Sequence, residues 1–185
     1  MVQMMDIKKL DVDKLTSPHP MAKIFKHEEG DALEFYKKVA KFKSMMLKEY
    51  LWLSDEFRTD QAADLILANY FSGYVFNVFY EIGDFQALIG FTNILPEFKC
   101  SMTFKLMDKS IWGADFVRMA KELSELYIRE FALKRISSET PDKKIVRMAE
   151  MIGFRLEGEQ PDSFRWNKKF YPLYLMGKYG DNNVL

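Results

Sequence analysis

Apolar and polar positions follow two different periods along this chain, and the switches between them mark out its elements. Residues 74–81, YVFNVFYE, are dense in aromatic and β-branched side chains and predict a strand. Ile82-Gly83-Asp84 supplies a turn, and residues 85–95, FQALIGFTNIL, return as the partner strand of a hairpin. Gly90 inside that run points to a bulge or a close backbone approach. Pro96-Glu97-Phe98-Lys99 is a loop leading to residues 101–107, SMTFKLM, a short β-prone run with partial alternation. Residues 108–113 form a turn with one glycine. From 114 to 132 the period becomes helical, with Phe116, Ala120, Leu123, Tyr127 and Phe131 on one face. Residues 134–139 read as a strand. Thr140-Pro141 then opens a second helix, Thr140 as N-cap and Pro141 at the first helical position. Ile145, Met148, Ala149 and Ile152 share one face of it, Gly153 closes it, and residues 154–158 start another strand.

The flanks are read the same way. Residues 2–10 suit an edge strand, and Ser17-Pro18-His19-Pro20 a loop. Asp31 as cap with Glu34 three residues on gives a capping-box start to a helix over about 31–51, with Leu33, Tyr36, Val39, Ala40, Met46 and Leu47 available for burial. A further helix spans about 60–70, with Ala63, Ile66 and Leu67 on one side. Towards the end, Gln160-Pro161-Asp162 predicts a turn, residues 163–166 and 169–178 a hairpin across Asn167-Lys168, and residues 179–185 a frayed tail.

Composition narrows the function classes. A 48% hydrophobic content over 185 residues suits one folded domain and excludes a disordered chain. Twelve Met and sixteen Phe read as a soft, large-residue core. Lys+Arg and Asp+Glu both number 27, a balance that argues against a general nucleic-acid binder. Lys41, Lys43 and Lys48 around Phe42 read as a solvated helix face. The single cysteine, Cys100, rules out an internal disulfide and points to a reducing compartment. No apolar run approaches the ~18 residues of a membrane span, and the first residues lack a signal-peptide pattern. A soluble, cytoplasmic protein with no membrane partner is the expectation. His19 and His27 lack metal-ligand spacing, so no metal is expected. No nucleophile-elbow motif is present, and Cys100 reads as a buried hydrophobe.

The central stretch resembles a known family. Trp112-Gly113-Ala114-Asp115-Phe116-Val117, the long helix, Leu133-Lys134-Arg135-Ile136, and then Glu150-Met151-Ile152-Gly153-Phe154-Arg155-Leu156-Glu157-Gly158 are similar to the GNAT-type N-acyltransferases, nearest the subgroup that acetylates ribosomal-protein N-termini. That subgroup writes these segments roughly as W-G-x-G-(Y/L)-A/G, L-x-x-x-R-I and E-K-L-G-F-x-x-E-G. The resemblance covers about residues 73–178. It implies an α/β fold: a mixed, mostly antiparallel central sheet flanked by helices on both faces, in a single domain over 1–185 with an N-terminal extension at 1–29. It also implies acetyl-CoA as co-substrate and acetyl transfer to a primary amine of a small molecule, a protein N-terminus or a lysine. Whether the chain forms a homodimer is left open.

Carried over by position, Leu106 and Met107 face the pantetheine arm, and Lys109, Ser110, Ile111, Trp112, Gly113 and Ala114 form the turn around the pyrophosphate. A helix N-terminus suits that anion, because its first N–H groups have no intrahelical acceptor. The chain departs from the family at three places. Asp115 stands where a second glycine is expected, an unfavourable charge beside a pyrophosphate, with Lys109 and Arg118 as compensating cations. Asp142 takes the place of an Asn. Ala149 takes the place of a Tyr that protonates the leaving thiolate in many relatives. Transfer needs a neutral amine, hence a base; the candidates are Glu97 before the central strand and Glu139 at the end of the next, each also readable as a solvated loop carboxylate. Tyr70 and Tyr74 are candidate cleft aromatics or core residues. The competing expectation is a non-catalytic acyltransferase-like module in an assembly, a flavour that also resembles acyltransferase-like proteins encoded by tailed phages. A working site leaves a cleft between the strands at 101–107 and 134–139, with N–H groups of 110–114 pointing into it; a decayed one fills it with Trp112 or Phe104.

Overall fold

Strand order decides where this molecule keeps its cavity. The computed structural model describes residues 15, 19–25, 32–48, 54–71 and 77–180. In chain order the elements are β1 (Ala22–Ile24), α1 (Ala32–Lys48), α2 (Asp60–Phe71), β2 (Val78–Ile82), β3 (Ala87–Leu95), β4 (Lys99–Leu106), α3 (Ala114–Glu130), β5 (Arg135–Thr140), α4 (Lys143–Ile152), β6 (Arg155–Trp166) and β7 (Lys169–Tyr179). The sheet runs β1-β2-β3-β4-β5-β7-β6. Five of its contacts are antiparallel, and β4–β5 alone is parallel. The exception follows from α3, which carries the chain back across the sheet so that β5 enters in the same direction as β4.

Alternation along the strands feeds two cores. Val78, Tyr80 and Ile82 of β2, Ala87, Ile89 and Phe91 of β3, and Cys100 and Met102 of β4 join Phe116, Leu123, Tyr127, Met148 and Ile152 beneath α3 and α4. Phe79 and Leu88 point the other way, into a smaller cluster with Phe42 and Met46 of α1 and Leu67 of α2. Helices therefore cover both faces, as expected. Tyr127 stacks on Phe91 with ring centroids 3.6 Å apart, and its hydroxyl lies 3.3 Å from that of Tyr80, which donates to the Leu15 carbonyl.

Several local expectations are corrected. On α1 the stripe that packs on the core is Phe35, Val39, Phe42 and Met46, spaced four, three and four, with Phe42 and Met46 buried, whereas Leu33 and Tyr36 are 71% and 63% exposed. Gly90 is a close approach: a Cβ there would overlap the Phe79 ring and come within 2.8 Å of the Thr103 methyl. The cap of α4 is Asp142, which accepts from the Lys144 N–H at 2.8 Å, and not Thr140, which ends β5 opposite Tyr174. Gly153 closes α4 in the left-handed region at φ 102°, as expected. β6 runs through Gln160-Pro161-Asp162 as one strand, and the expected turn there is a shift in register between Gln160 and Phe164, with Asp162 at φ 53°. Asn167 and Lys168, at φ 49° and 62°, form the two-residue hairpin turn. Tyr179, expected in the tail, is still in β7 opposite Arg135. The expected strand at 2–10, His27, the Asp31 cap, Tyr74 and residues 181–185 lie outside the described residues.

The hairpin tip folds back on the helical layer. Asp55, in a 3-10 turn (Asp55–Phe57) between α1 and α2, accepts from the N–H groups of Asn167 at 3.1 Å and Lys168 at 2.9 Å. The Arg58 guanidinium lies over the Trp166 ring and donates to the Leu47 carbonyl.

Candidate active site

β4 and β5 are paired through three residue pairs, Lys99–Arg135, Cys100–Ile136 and Ser101–Ser137. Beyond them each strand follows its other neighbour. β4 stays with β3 as far as Ala87–Leu106, and β5 stays with β7 as far as Thr140–Tyr174. The two strands therefore part. At the fork the hydroxyls of Ser101 and Ser137 lie 3.2 Å apart, and Ser137 also donates to the Cys100 carbonyl.

A cavity of about 600 Å³ opens beyond the fork, a size typical of small-molecule sites. One wall is β4 from Thr103 to Leu106, the other is Ser138, Glu139 and Thr140 of β5. Lys109 and Trp112 of the following turn and one face of α4 complete it. Phe104 and Trp112, the side chains that would fill a decayed cleft, line this one and leave it open. Lys105, Lys109, Lys144 and Arg147 give the lining four basic side chains against the carboxylates of Glu139 and Asp142.

The turn is built on Asp108. Its carboxylate accepts from the Ser110 N–H at 2.8 Å and from the Gln86 amide, and the Ser110 N–H above all holds its pKa below the ordinary 3.8. Ile111 donates to the Asp108 carbonyl and Trp112 to that of Lys109. The N–H groups of Ser110, Ile111 and Trp112 thus close the turn on itself. Of the expected donors, those of Gly113 and Ala114 remain, at the start of α3, where no side chain caps the helix. Gly113 is extended at φ −171°, and a Cβ there would meet nothing within 4 Å, so the space before α3 is open. Asp115 is answered by Arg118 at 2.8 Å, the compensation anticipated from the sequence.

The sequence-predicted residues divide. Leu106, Lys109, Trp112 and Glu139 line the cavity. Met107 packs into the α1/α2 cluster, Ile111 packs against the larger core, and Ser110, Gly113 and Ala114 stand exposed beside the cavity. Glu97 is elsewhere: it sits in the β3–β4 turn at φ 62° and donates its N–H to the Phe131 carbonyl. It lies roughly 20 Å along β4 from the nearest cavity residue of that strand. Tyr70 belongs to the α1/α2 core beside Phe79, and its pKa is raised by burial and by Glu139. Cys100 is buried, which pushes its thiol up to about 12 and leaves it inert.

Lys105 was missed. It faces the cavity from β4, and burial pulls its pKa down to about 8 against the opposing pull of Glu139. Period-two alternation from Thr103 carried the signal. Lys144, Arg147, Met148 and Met151 on α4 were also missed as lining, although their spacing puts them on one helical face.

A mixed sheet forked between its two parallel strands, with a crossover helix starting at the mouth of the fork, is the acyl-CoA N-acyltransferase fold of the GNAT acetyltransferases. The ribosomal L7/L12 alpha-N-protein acetyltransferase RimL, solved with coenzyme A, is similar over 89% of this chain and 97% of its own, with TM-score 0.63 and 16% identity. Spermidine N-acetyltransferase from Vibrio cholerae, solved with CoA and spermine, is similar over 87% and 96%, with TM-score 0.64 and 13% identity. The microcin C7 self-immunity acetyltransferase MccE, solved with acetyl-CoA and AMP, is similar over 88% and 94%, with TM-score 0.62 and 17% identity. No protein-family model matches the chain, and no curated protein matches it.

Proposed function

We propose that this protein is an N-acetyltransferase that moves an acetyl group from acetyl-CoA to a primary amine of a small molecule or a protein. The observation that carries the reading is the open cavity at the β4–β5 fork, with its cationic lining and the uncapped start of α3 beside it. Those features suit an anionic, extended co-substrate: Lys109 and the N–H groups of Gly113 and Ala114 for the phosphates, and the edge of β4 near Leu106 and Met107 for the amide-bearing arm. Acetyl-CoA supplies the thioester. Glu139, on the cavity wall, receives the proton that the attacking amine loses, directly or through water. A backbone N–H on β4 beyond Ser101 steadies the oxyanion.

The acceptor's primary amine is supported by the acceptors named for the structural neighbours, spermidine and the ribosomal protein L7/L12. A second reading, a non-catalytic module, draws on one observation: Ala149 is fully buried and, among the described residues, no tyrosine lines the cavity to act as the thiolate acid.

Calorimetry of acetyl-CoA against the purified protein tests this. Micromolar binding is expected, weakened at least about tenfold, or ~1.4 kcal/mol, in Gly113→Glu. That variant has open space and an unstrained backbone, so it folds and places a carboxylate at the phosphate position. No binding up to millimolar acetyl-CoA sinks the reading. Binding without turnover of any amine favours the non-catalytic module.

A further inference from the structure

The cavity holds a primary amine of its own. Phe104, Lys105 and Leu106 are consecutive on β4 and all line it, but they belong to opposite faces of the sheet. Phe104 and Leu106 pack against the core under α3 and α4, so Lys105 stands on the α1/α2 face. Glu139 stands on that same face across the fork, because its neighbours in β5, Ser138 and Thr140, are buried on the other. The carboxylate assigned to take a proton from an acceptor amine therefore has a lysine side chain opposite it, on the side an acceptor would approach.

We propose that the protein acetylates its own Lys105, and that the acetyl-lysine so formed closes the acceptor side of the cavity. This rests on the acetyl-CoA reading above. In the step, the lone pair of neutral Nζ attacks the thioester carbonyl carbon. The N–C bond forms, the C–S bond breaks, and the sulfur leaves as the CoA thiolate. The proton shed by nitrogen passes to that thiolate, directly or through Glu139. The products are acetyl-lysine and the free CoA thiol, with no oxidant or reductant.

The surroundings favour the nucleophilic form. Burial brings Lys105 down to about 8. At neutral pH this leaves far more neutral amine than an exposed lysine has. Among the described residues, the groups facing it include Glu139 from β5, with Tyr70 of α2 beyond it, and across the cavity Lys109, Asp142, Lys144 and Arg147. β3 presents apolar Leu88 beside it. On α1, Lys38 is held by Glu81 at 2.8 Å and Lys41 lies over the Phe85 ring. Acetylation removes the cation opposite Glu139 and places an acetamide where the acceptor would sit.

The full chain is incubated with acetyl-CoA over a pH series, and acetyl-lysine is mapped by peptide mass spectrometry, with acetyl-CoA binding measured on the same preparation. Lys105 is expected to be modified at least about tenfold faster than Lys109 and Lys144, exposed lysines of the same cavity, with a rate that rises with pH and levels off above about 8. Lys105→Arg, checked for folding by circular dichroism, loses that modification. Acetyl-CoA binding with Lys105 unmodified, or Lys109 and Lys144 modified equally fast, overturns the proposal and leaves the transferase reading standing. Total modification undiminished in folded Lys105→Arg also overturns it. Absence of acetyl-CoA binding removes the transferase reading, and this proposal with it.

Discussion

Glu97 and Glu139 are both carboxylates next to a strand end, and the distance between their fates comes from one pairing. β4 and β5 meet at their N-terminal ends, so the space between them opens at the far end, where Glu139 lies, and away from the turn that holds Glu97. Local pattern does not encode which end of a parallel pair stays closed, because the partners are more than thirty residues apart in the chain. Alternation puts Lys105 on one face of β4, but its low pKa comes from burial against distant elements, which local pattern does not encode. The turn residues were readable because they are contiguous. If Glu139 takes the amine proton, Glu139→Gln lowers kcat/KM by ~10²–10⁴-fold. Acetyl-CoA affinity stays near that of the parent. Steady-state kinetics alongside calorimetry separate the two, and a variant with undiminished kcat/KM removes Glu139 as base.

Among the elements, helices α3 and α4 and the β2–β3 hairpin follow directly from periodicity and turn chemistry. The errors cluster where a neighbour overrules a local signal. Thr140 is a good N-cap by type, but its place in the ladder with Tyr174 keeps it in β5, and the cap passes to Asp142. Pro161-Asp162 is a good turn by type, but β7 continues past it and the strand absorbs the residues as a register shift. The proline is tolerated because β6 is at the sheet's edge, where an N–H can be spared. Gly90 meets the expected close approach, and its reason is the Phe79 ring lying across it. Gly90→Ala is expected to destabilise the fold by ~1–3 kcal/mol through overpacking. Phe79→Leu in the same chain should recover part of that loss. Urea denaturation of the single and double variants checks both, and an Ala variant as stable as the parent contradicts the packing account.

At the scale of the whole molecule, a contact spanning 112 positions ties the helical layer to the last hairpin: the Asn167 N–H donates to Asp55. No sequence pattern announces it, since Asp55 and the hairpin tip each look like ordinary solvated turns. The Lys168 N–H chiefly, with that of Asn167 and with Arg58, holds the Asp55 carboxyl below its ordinary 3.8. A lowered folded-state pKa means that the clamp's contribution is fully present above the ordinary value and is lost as pH falls through the lower one. Acidification below about 4 should therefore release the hairpin tip before the sheet melts. Amide resonances of Asn167 and Lys168, followed by NMR in the parent and in Asp55→Asn, report the release. A transition of the parent at the same pH in both proteins assigns it to another group.

The fork also bears on how this chain coexists with copies of itself. A strand edge with unclaimed N–H and C=O groups is a template for pairing with other chains, and sheets ordinarily leave such edges at their rims, where they invite aggregation. Here β4 and β5 expose edges to each other inside the sheet, recessed behind α4 and the turn at Lys109. The fork therefore turns two strand edges inward, so that opening a cavity in the sheet adds no further edge to its rim.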